Sequence, residues 1–506
     1  MIARKSTLII SANILNGVLA YIAIFYISRF NYTEEFGIIK FAIAFVTLFN
    51  IIGSLGFDSA NIKRISEGKD LGRCIGTFIV IKISLIFIMS LVTIAAVYSW
   101  KHLLGRGFET STHETVIYII LVYLVLNTIN GIFRSIFSAK KEIVKIEIPL
   151  LIETLVRVVA TVYVVFSGLG VIELAYTYII SDIALLSTSL FLFRGYPIKK
   201  PSYEYFRSYK KFARPMVLVG ACAVIMTNID KVLIQLFWNS YEVGFYSYAY
   251  SLCMYITMFT TAVGILLFPT FSSLHANKDL EGAKKLILKT QRYLSMVVFP
   301  LVFGMVALAQ PAVFILLSNK EQTVPILRIL PFFVLLAAIE RPYQSHFLGI
   351  DRPKIARNRV LIMVIINLIL NIVLIPEDIN SLGIKLAGLG AKGAAIATVF
   401  SYAAGLIYST AVTKRKIKLK ISMKSIFIHF IAATIMAGVL YWIAEFIKIT
   451  RFYHLLGVSI FGLGIYILVI FLLKEFTKKD LMFFLDQLNI KKMFIYMKEE
   501  IKRNNK

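Results

Sequence analysis

Ionisable side chains within long apolar segments are the part of this sequence whose chemistry is most informative. A bilayer interior accepts such residues only at a cost, so they usually face a cavity or an oppositely charged partner. The candidates inside apolar segments are Lys82, Glu153, Arg157, Asp182, Asp230, Lys231, Glu340 and Arg341. Arg29, Lys40, Arg134 and Arg328 stand near segment ends, where long basic side chains can reach the membrane interface. Lys82 is intermediate between these two groups.

Glu153 and Arg157 are four residues apart, so they share a helix face and can pair. The arginine is either half of a structural ion pair or a cavity cation that a carboxylate holds in place, and the sequence leaves both alternatives open. Asp182 is alone in its segment, which makes it a candidate for gating or ion coupling.

Two further pairs of charges are adjacent in sequence, and neighbours on a helix point about 100° apart. Glu340 and Arg341 are therefore poorly placed to neutralise each other, and at least one should face the cavity or another helix. For Arg341 the alternatives are contact with a substrate phosphate and a structural role. Asp230 and Lys231 pose the same problem, and Asp230 serves either interhelix pairing or gating and ion coupling.

Five asparagines add uncharged hydrogen-bonding groups to these segments. Asn13 with Asn16, and Asn127 with Asn130, are spaced three apart and therefore share a helix face. Asn228 belongs to the segment of the adjacent Asp–Lys pair and can reach the same face. These amides could meet sugar hydroxyls or simply join helices by hydrogen bonds.

The segments that carry these residues are long enough to cross a membrane. The chain has 506 residues, of which 58% are hydrophobic and 16% charged, and its mean hydropathy is +0.78. No soluble domain of this length has such a composition. A bilayer core requires about 20 apolar residues. Segments of this kind predict fourteen spans, at 7–29, 36–57, 74–98, 114–138, 146–166, 171–193, 215–237, 243–268, 293–317, 325–349, 358–376, 386–411, 425–446 and 454–473.

The net charge of +27 is explained by topology rather than by a nucleic-acid surface. With the N-terminus inside, most of the 55 Lys and Arg fall in cytoplasmic segments, as the positive-inside rule requires. We therefore expect a multi-pass protein of the plasma or inner membrane with both termini cytoplasmic. It should contact membrane lipids and have no nucleic-acid partner.

Several enzyme classes are disfavoured by what the sequence lacks. It contains no Walker A, HExxH or GxSxG motif, and its six His and three Cys are scattered. The stretch 388–393 satisfies GxGxxG, but it opens an apolar helix rich in small residues, which is typical of close helix packing in lipid. We expect no catalytic residues, no metal site and no cofactor.

Two stretches of the chain resemble each other. Residues 30–42 begin Phe-Asn-Tyr-Thr-Glu-Glu-Phe-Gly, and residues 237–249 begin Phe-Trp-Asn-Ser-Tyr-Glu-Val-Gly. A second pair joins Gly-Leu-Gly at 168–170 with Gly-Leu-Gly at 388–390. Tandem halves of this kind are how many transporters build two lobes around one site.

Three motifs carry a resemblance to a known family. Thr-Asn-Ile-Asp-Lys at 227–231, followed by Glu-Val-Gly-Phe-Tyr-Ser-Tyr-Ala at 242–249, is similar to the central signature of the Wzx-type polysaccharide-biosynthesis flippases. Residues 388–398 resemble the opening of that family's twelfth span, and residues 343–354 resemble its span 10 exit. The resemblance covers residues 1–411, and the superfamily also contains lipid II flippases and multidrug and toxin extruders.

The resemblance implies an all-α membrane fold of two six-helix lobes, 1–198 and 215–411, around a cavity that opens alternately to the two sides. Helices 13 and 14, within 425–474, would border a groove for a polyprenyl tail or pack peripherally. Aromatic and basic residues at 199–214 predict an interfacial cytoplasmic linker, and residues 475–506 predict a basic amphipathic tail.

The resemblance implies a flippase, not an enzyme, that moves a polyprenyl-(di)phosphate-linked oligosaccharide from the inner to the outer leaflet. Its partners would be the lipid-linked glycan, membrane lipids and glycan-assembly proteins. Cavity candidates are Arg341, Arg157, Lys82, Asn13, Asn16, Asn127 and Asn130; gating or coupling candidates are Asp230, Lys231, Asn228, Asp182, Glu153 and Glu340. The alternatives are a lipid II flippase, a multidrug extruder and, outside the superfamily, a membrane glycan polymerase or ligase.

Overall fold

The structure is a computed structural model that describes residues 2–102, 108–350, 352–379, 384–417, 423–477, 480 and 482. Its elements are α1 (Ile2–Arg29), α2 (Thr33–Ser54), α3 (Phe57–Ser66), α4 (Leu71–His102), α5 (Ser111–Ala139), α6 (Val144–Phe166), α7 (Val171–Leu192), α8 (Tyr203–Phe237), α9 (Ser240–Ala276), α10 (Leu280–Ala307), α11 (Ala309–Leu316), α12 (Thr323–Ile329), α13 (Pro331–Gly349), α14 (Pro353–Leu374), β1 (Asp378–Ile379), β2 (Ile384–Lys385), α15 (Gly390–Ile417), α16 (Met423–Phe446) and α17 (Phe452–Leu472). The two strands form a short antiparallel hairpin between α14 and α15. The predicted all-α membrane fold is confirmed.

Twelve helical segments of the described residues are long and apolar enough to cross a membrane. Each overlaps a predicted span, and together they make the chain a multi-pass membrane protein. The predicted spans at 7–29 and 243–268 fall on α1 and α9, whose side chains are only partly within the described residues. The count of fourteen therefore stays a prediction.

Hydropathy placed some span boundaries wrongly. The span predicted at 36–57 ends at Ser54, because Leu55 (φ 41°) and Gly56 (φ 76°) adopt left-handed backbone conformations that turn the chain into α3. The spans predicted at 293–317 and 325–349 each consist of two helices. The second of these breaks occurs where Pro331, which has no backbone N–H, begins α13.

The interfacial linker predicted at 199–214 does not form a separate helix. From Tyr203 onward it is continuous with the following span as α8. Tyr209, an aromatic residue of this predicted interfacial segment, is fully buried, and its hydroxyl donates a hydrogen bond to Asn61 Oδ1 at 2.7 Å. Tyr203 remains 80% exposed. The early turns of α8 are therefore packed onto the protein by one face.

The predicted amphipathic tail at 475–506 lies outside the described residues, apart from 475–477, 480 and 482. Its start is fastened to α10, where Arg292 binds Glu475 Oε1 at 2.7 Å and Asp480 Oδ2 at 2.9 Å. The Arg292 guanidinium and the Thr477 hydroxyl hold the pKa of the Asp480 carboxyl well below its usual range.

The described chain divides into two compact units. The N-terminal unit comprises Ile14–Tyr248 and Val360–Ala397, and the C-terminal unit comprises Met1–Asn13, Ala249–Arg359 and Thr398–Lys506. The predicted lobe boundaries stay a prediction.

Within the N-terminal unit the two repeated stretches pack against each other through their glycines. A Cβ atom on Gly37 would lie 1.8 Å from the carbonyl oxygen of Ser240, and one on Gly244 would lie 2.4 Å from that of Thr33. Only glycine permits so close an approach of two backbones. The equivalent glycines of the two stretches therefore share one helix crossing.

Candidate functional site

A cluster of polar side chains from three helices of the N-terminal unit contains several of the predicted site residues. We call Asn127 and Asn130 of α5, Glu153 and Arg157 of α6, and Tyr178 and Asp182 of α7 the α5–α7 cluster. All of these positions lie within segments that can cross a membrane. The packing of α5 and α6 against α7 brings together residues that are distant in sequence.

The Glu153–Arg157 pair forms along one face of α6. Arg157 Nη1 lies 2.9 Å from Glu153 Oε1, and the guanidinium stands over the Tyr178 ring at 5.5 Å from its centroid. The arginine side chain keeps 27% of its surface exposed, whereas the glutamate keeps only 9%. The pair thus has a covered carboxylate and an accessible cation, so a structural pair and a cavity cation are compatible roles for it.

Asp182 is not isolated in the folded chain, although it is alone in its own segment. Asn127 Nδ2 donates to Asp182 Oδ1 at 3.4 Å, and Asn130 Nδ2 lies 3.5 Å from the Asp182 carbonyl oxygen. Glu153 and Arg157 also act electrostatically on this carboxyl group. The packing of α5 against α7 thus supplies partners that the segment of Asp182 does not itself contain.

The α5–α7 cluster retains unused hydrogen-bonding capacity. Asp182 is only 1% exposed, and its Oδ2 has no hydrogen-bond partner among the described residues. The same holds, within that part of the chain, for Oδ1 of Asn130. A buried acceptor without a donor is energetically costly, so the cluster is suited to accept a proton, a cation or a hydroxyl donor.

The cavity next to this cluster is small. It has a volume of about 30 Å³ and is lined by Asn127 and Asn130 together with Arg134 and Lys145. A water molecule needs roughly 10–15 Å³ measured in this way. The cavity therefore has room for about two waters and none for a sugar ring, so the two asparagines are not arranged around a glycan in this structure.

A second cluster in the N-terminal unit surrounds Asp230 of α8. Tyr246 donates its hydroxyl to Asp230 Oδ2 at 2.6 Å, and the amides of Asn371 and Asn367 donate to Oδ1 at 2.7 and 3.2 Å. Asp230 is 3% exposed. Three donors from α9 and α14 thus join α8 to its neighbours through one carboxylate.

The other two predicted residues of α8 bond to their own helix. Asn228 donates to the carbonyl oxygen of Val224 at 2.9 Å, and Lys231 donates to that of Thr227 at 2.8 Å. Tyr246, Asn367 and Asn371 were not predicted, although the spacing of the two asparagines, four apart within one span, was a visible signal.

Glu340 of the C-terminal unit is paired with another helix. Arg359 of α14 contacts both of its carboxylate oxygens, Ser409 donates to Oε1 at 2.6 Å, and Gln344 donates to Oε2 at 3.1 Å. Glu340 is completely buried. Arg341, its neighbour in sequence, is half-buried, and Arg359, Tyr402 and Glu340 act on it electrostatically.

Lys82 is neutralised by a residue that lies outside the predicted spans. Its Nζ lies 2.9 Å from Asp58 Oδ1 of α3 and donates to the Gly53 carbonyl oxygen at 3.0 Å. The lysine is 2% exposed. A cation so enclosed is poorly available to a substrate phosphate.

The two asparagines of α1 differ in their surroundings. Asn13 is exposed, and Asn16 is half-buried with an Oδ1 that finds no hydrogen-bond partner in the described part of the chain. Asn16 is thus the more suitable of the two for a polar ligand.

Comparison with solved structures shows which fold this helical membrane protein has. The structure is similar to the lipid II flippase MurJ in an inward closed conformation, with a TM-score of 0.74 and 16% identity over 91% of this chain and 98% of that one. It is also similar to an inward-facing multidrug resistance MATE family transporter of the MOP superfamily, with a TM-score of 0.64 and 14% identity over 80% and 96%. At these identities the likeness shows the fold alone.

The sequence comparisons identify the family. The model of the family described as polysaccharide biosynthesis protein matches residues 26–325, and the chain belongs to this family. It is 23% identical to the probable low-salt glycan biosynthesis flippase Agl15 of Haloferax volcanii over 92% of this chain and 94% of that protein. It is equally similar, at 23%, to the probable flippase AglR of the same organism over 91% and 94%. The family predicted from the sequence motifs is confirmed.

Proposed function

We propose that this protein is a flippase that moves a polyprenyl-phosphate- or diphosphate-linked oligosaccharide from the inner to the outer leaflet by alternating access. The observation that carries this proposal is the match, over more than nine-tenths of both chains, to proteins named as flippases. The flippase-like fold supports it. The product would serve polysaccharide or glycoconjugate assembly, and the protein would catalyse no covalent reaction.

The polar clusters divide this task among them. Arg157 and Arg341 are the cations that retain exposed surface, so they would offset the desolvation of the substrate phosphates. Asp182, with its unused acceptor, would gate the transporter or couple it to an ion. Asp230 and Glu340, whose oxygens are supplied with donors by neighbouring helices, would hold those helices together.

The membrane potential can drive this transport without ATP. Each negative charge that leaves an inside-negative cell gains about 2.3 kcal/mol per 100 mV. A diphosphate head with two charges would gain roughly twice that amount if no cation travels with it. If transport is coupled to Na⁺ or H⁺ at the α5–α7 cluster, the ion gradient would drive it in place of the membrane potential acting on the head group.

The proposal also covers the membrane in which the protein resides, the side on which its termini lie and the proteins that receive its substrate. The protein would reside in the plasma membrane with both termini in the cytoplasm, and its lobes would be 1–198 and 215–411. It would deliver substrate to glycan-assembly proteins on the outer side. Cysteine accessibility should place the segment 194–214 inside and the loop near Arg106 outside.

Purified protein in liposomes tests the function directly. It should accelerate the movement of a polyprenyl-linked oligosaccharide between leaflets without ATP, and protein-free liposomes provide the control. Transport of a cationic drug instead would assign the protein to the extruders, and flipping of lipid II in preference to other glycolipids would assign it to the lipid II flippases. Formation of a longer glycan would reveal a polymerase.

A further inference from the structure

An apolar groove on the N-terminal unit lies apart from the polar clusters. It has a volume of about 500 Å³, and its walls come from the turn between α2 and α3, from α4 and from the early part of α8. Phe57, Val80, Leu85 and Val217 supply apolar walls, and Val80 is 50% exposed. A groove of this size on a membrane helix bundle is large enough for part of a lipid chain.

The backbone of the α2–α3 turn shapes one wall of the groove. Leu55 and Gly56 both have positive φ angles, and this turn places Leu55 and Phe57 at the groove. A non-glycine residue with positive φ is uncommon and persists where the surrounding structure holds it. The wall is therefore a fixed feature of the fold.

The opposite wall is one face of α8. Polar contacts on another face of this helix hold it in place. Arg64 Nη2 donates to the Ser208 carbonyl oxygen at 3.2 Å, and Tyr209 donates to Asn61 at 2.7 Å. These bonds fix α8 to α3. The groove-facing residues are Phe206, Lys210, Ala213, Arg214 and Val217, whose spacing forms one stripe along a helix.

Among the described residues that line the groove, two cations of this stripe carry the formal charges. Lys210 and Arg214 are both exposed, and neither forms an ion pair or hydrogen bond within the described ranges. They are four residues apart, so they stand one turn from each other on the same face. The groove thus combines an apolar channel with two adjacent unneutralised cations.

We propose that this groove binds one anionic phospholipid of the cytoplasmic leaflet, with an acyl chain in the channel and the phosphate between Lys210 and Arg214. Basic residues at the inner membrane surface attract anionic lipids, which supplies the charge complementarity. A glycan head is a poor occupant, because the one lining hydroxyl, that of Ser84, already donates to the Val80 carbonyl oxygen at 3.0 Å. The bound lipid would bridge α4 and α8, and α8 also carries Asp230.

Lipid binding to the purified full-length protein tests this site independently of transport. Native mass spectrometry in detergent would compare phosphatidylglycerol with phosphatidylcholine. We expect wild type to prefer phosphatidylglycerol, and Lys210→Gln/Arg214→Gln to bind it about fivefold more weakly for each charge removed. The matched control is Arg207→Gln/Lys211→Gln, which removes one Lys and one Arg of the same helix that do not line the groove; its preference should be retained.

A second variant tests the channel without changing any charge. Ser84→Phe fills part of the groove and should weaken phosphatidylglycerol binding, while thermal unfolding of all variants in lipid-free detergent stays equal to wild type. The proposal would be overturned if Lys210→Gln/Arg214→Gln and the control Arg207→Gln/Lys211→Gln lost phosphatidylglycerol binding equally. Unchanged phosphatidylglycerol binding by Ser84→Phe would also overturn it. Tighter binding of undecaprenyl phosphate than of phosphatidylglycerol would overturn the assignment to a phospholipid. These experiments measure lipid binding and not transport. A negative result would therefore not contradict the flippase proposal, which the liposome transport assay tests separately.

Discussion

Two buried ion pairs in this protein have the same residue types but different surroundings. Glu153–Arg157 lies along one helix, with an arginine side chain that is 27% exposed, next to an aspartate that has an unused oxygen. Glu340–Arg359 joins two helices, and its glutamate is completely buried and accepts from two further side chains. In the Glu340–Arg359 pair, both carboxylate oxygens accept hydrogen bonds from neighbouring side chains. The Glu153–Arg157 pair is instead next to acceptor atoms that can still bind a ligand.

This difference assigns the two pairs to different tasks. A buried charge whose hydrogen bonds are complete loses much if one partner is removed, and it offers little to a substrate. A partly exposed cation beside an unsatisfied carboxylate can exchange partners at lower cost. The Glu153–Arg157 pair is thus the better candidate for a step of the transport cycle, and the Glu340–Arg359 pair for holding α13 to α14.

The largest expected effect is on stability and comes from breaking the saturated pair. Arg359→Gln leaves the Glu340 carboxylate buried without its cation, which should cost about 3–5 kcal/mol. Thermal unfolding of the detergent-extracted protein measures this loss, with Lys354→Gln, an exposed residue of the same helix, as the control. Glu340→Gln/Arg359→Gln should recover most of the stability. If Arg359→Gln unfolds like wild type, the structural role is wrong.

The same change in the partly exposed pair should cost less. Arg157→Gln is expected to lower stability by about 1–2 kcal/mol, because the Arg157 side chain is 27% exposed, whereas that of Arg359 is 10% exposed and its partner Glu340 is fully enclosed. Adding Glu153→Gln should recover the stability that Arg157→Gln alone loses. A loss as large as that of Arg359→Gln would remove the contrast between the two pairs.

Local spacing predicted some of these contacts and could not predict others. The Glu153–Arg157 pair is visible in the sequence because both residues are on one helix, four apart. The partners of Glu340 and Lys82 were missed, because Arg359 and Asp58 come from other helices and hydropathy carries no information about which helices pack together.

The overall fold was more predictable than the boundaries of its helices. The apolar lengths indicated the helices correctly because the bilayer sets a minimum length. The turn at Leu55–Gly56 and the extension of the linker into α8 depend on backbone conformation and on the burial of Tyr209, which hydropathy does not report.

Removing the phosphate-binding candidate should affect transport more than stability. Arg341 is half-buried, so Arg341→Ala should leave the protein folded and abolish most flipping. Arg341→Lys should retain part of the activity, because a point charge still attracts phosphate although the bidentate fork is lost. Flipping rates normalised to reconstituted protein provide the measurement. Normal transport by Arg341→Ala would exclude the substrate role.

The smallest expected change in stability is that of Asp182→Asn. The hydrogen bond that its carboxylate accepts from Asn127 is long, at 3.4 Å, so its replacement should change stability by less than about 1 kcal/mol. If Asp182 couples transport to an ion, the variant should lose its response to Na⁺ or H⁺ gradients in liposomes. A gradient response equal to that of wild type would exclude the coupling role.

Flipping by the two charge-neutral double variants tests the account most directly. Glu153→Gln/Arg157→Gln and Glu340→Gln/Arg359→Gln each remove one ion pair without leaving an unpaired buried charge, so both proteins should fold and reconstitute. In proteoliposomes that contain a polyprenyl-linked oligosaccharide, the first variant should lose most of its flipping, and the second should retain most of it. Retained flipping by the first variant together with lost flipping by a stably folded second variant would contradict the assignment of these pairs.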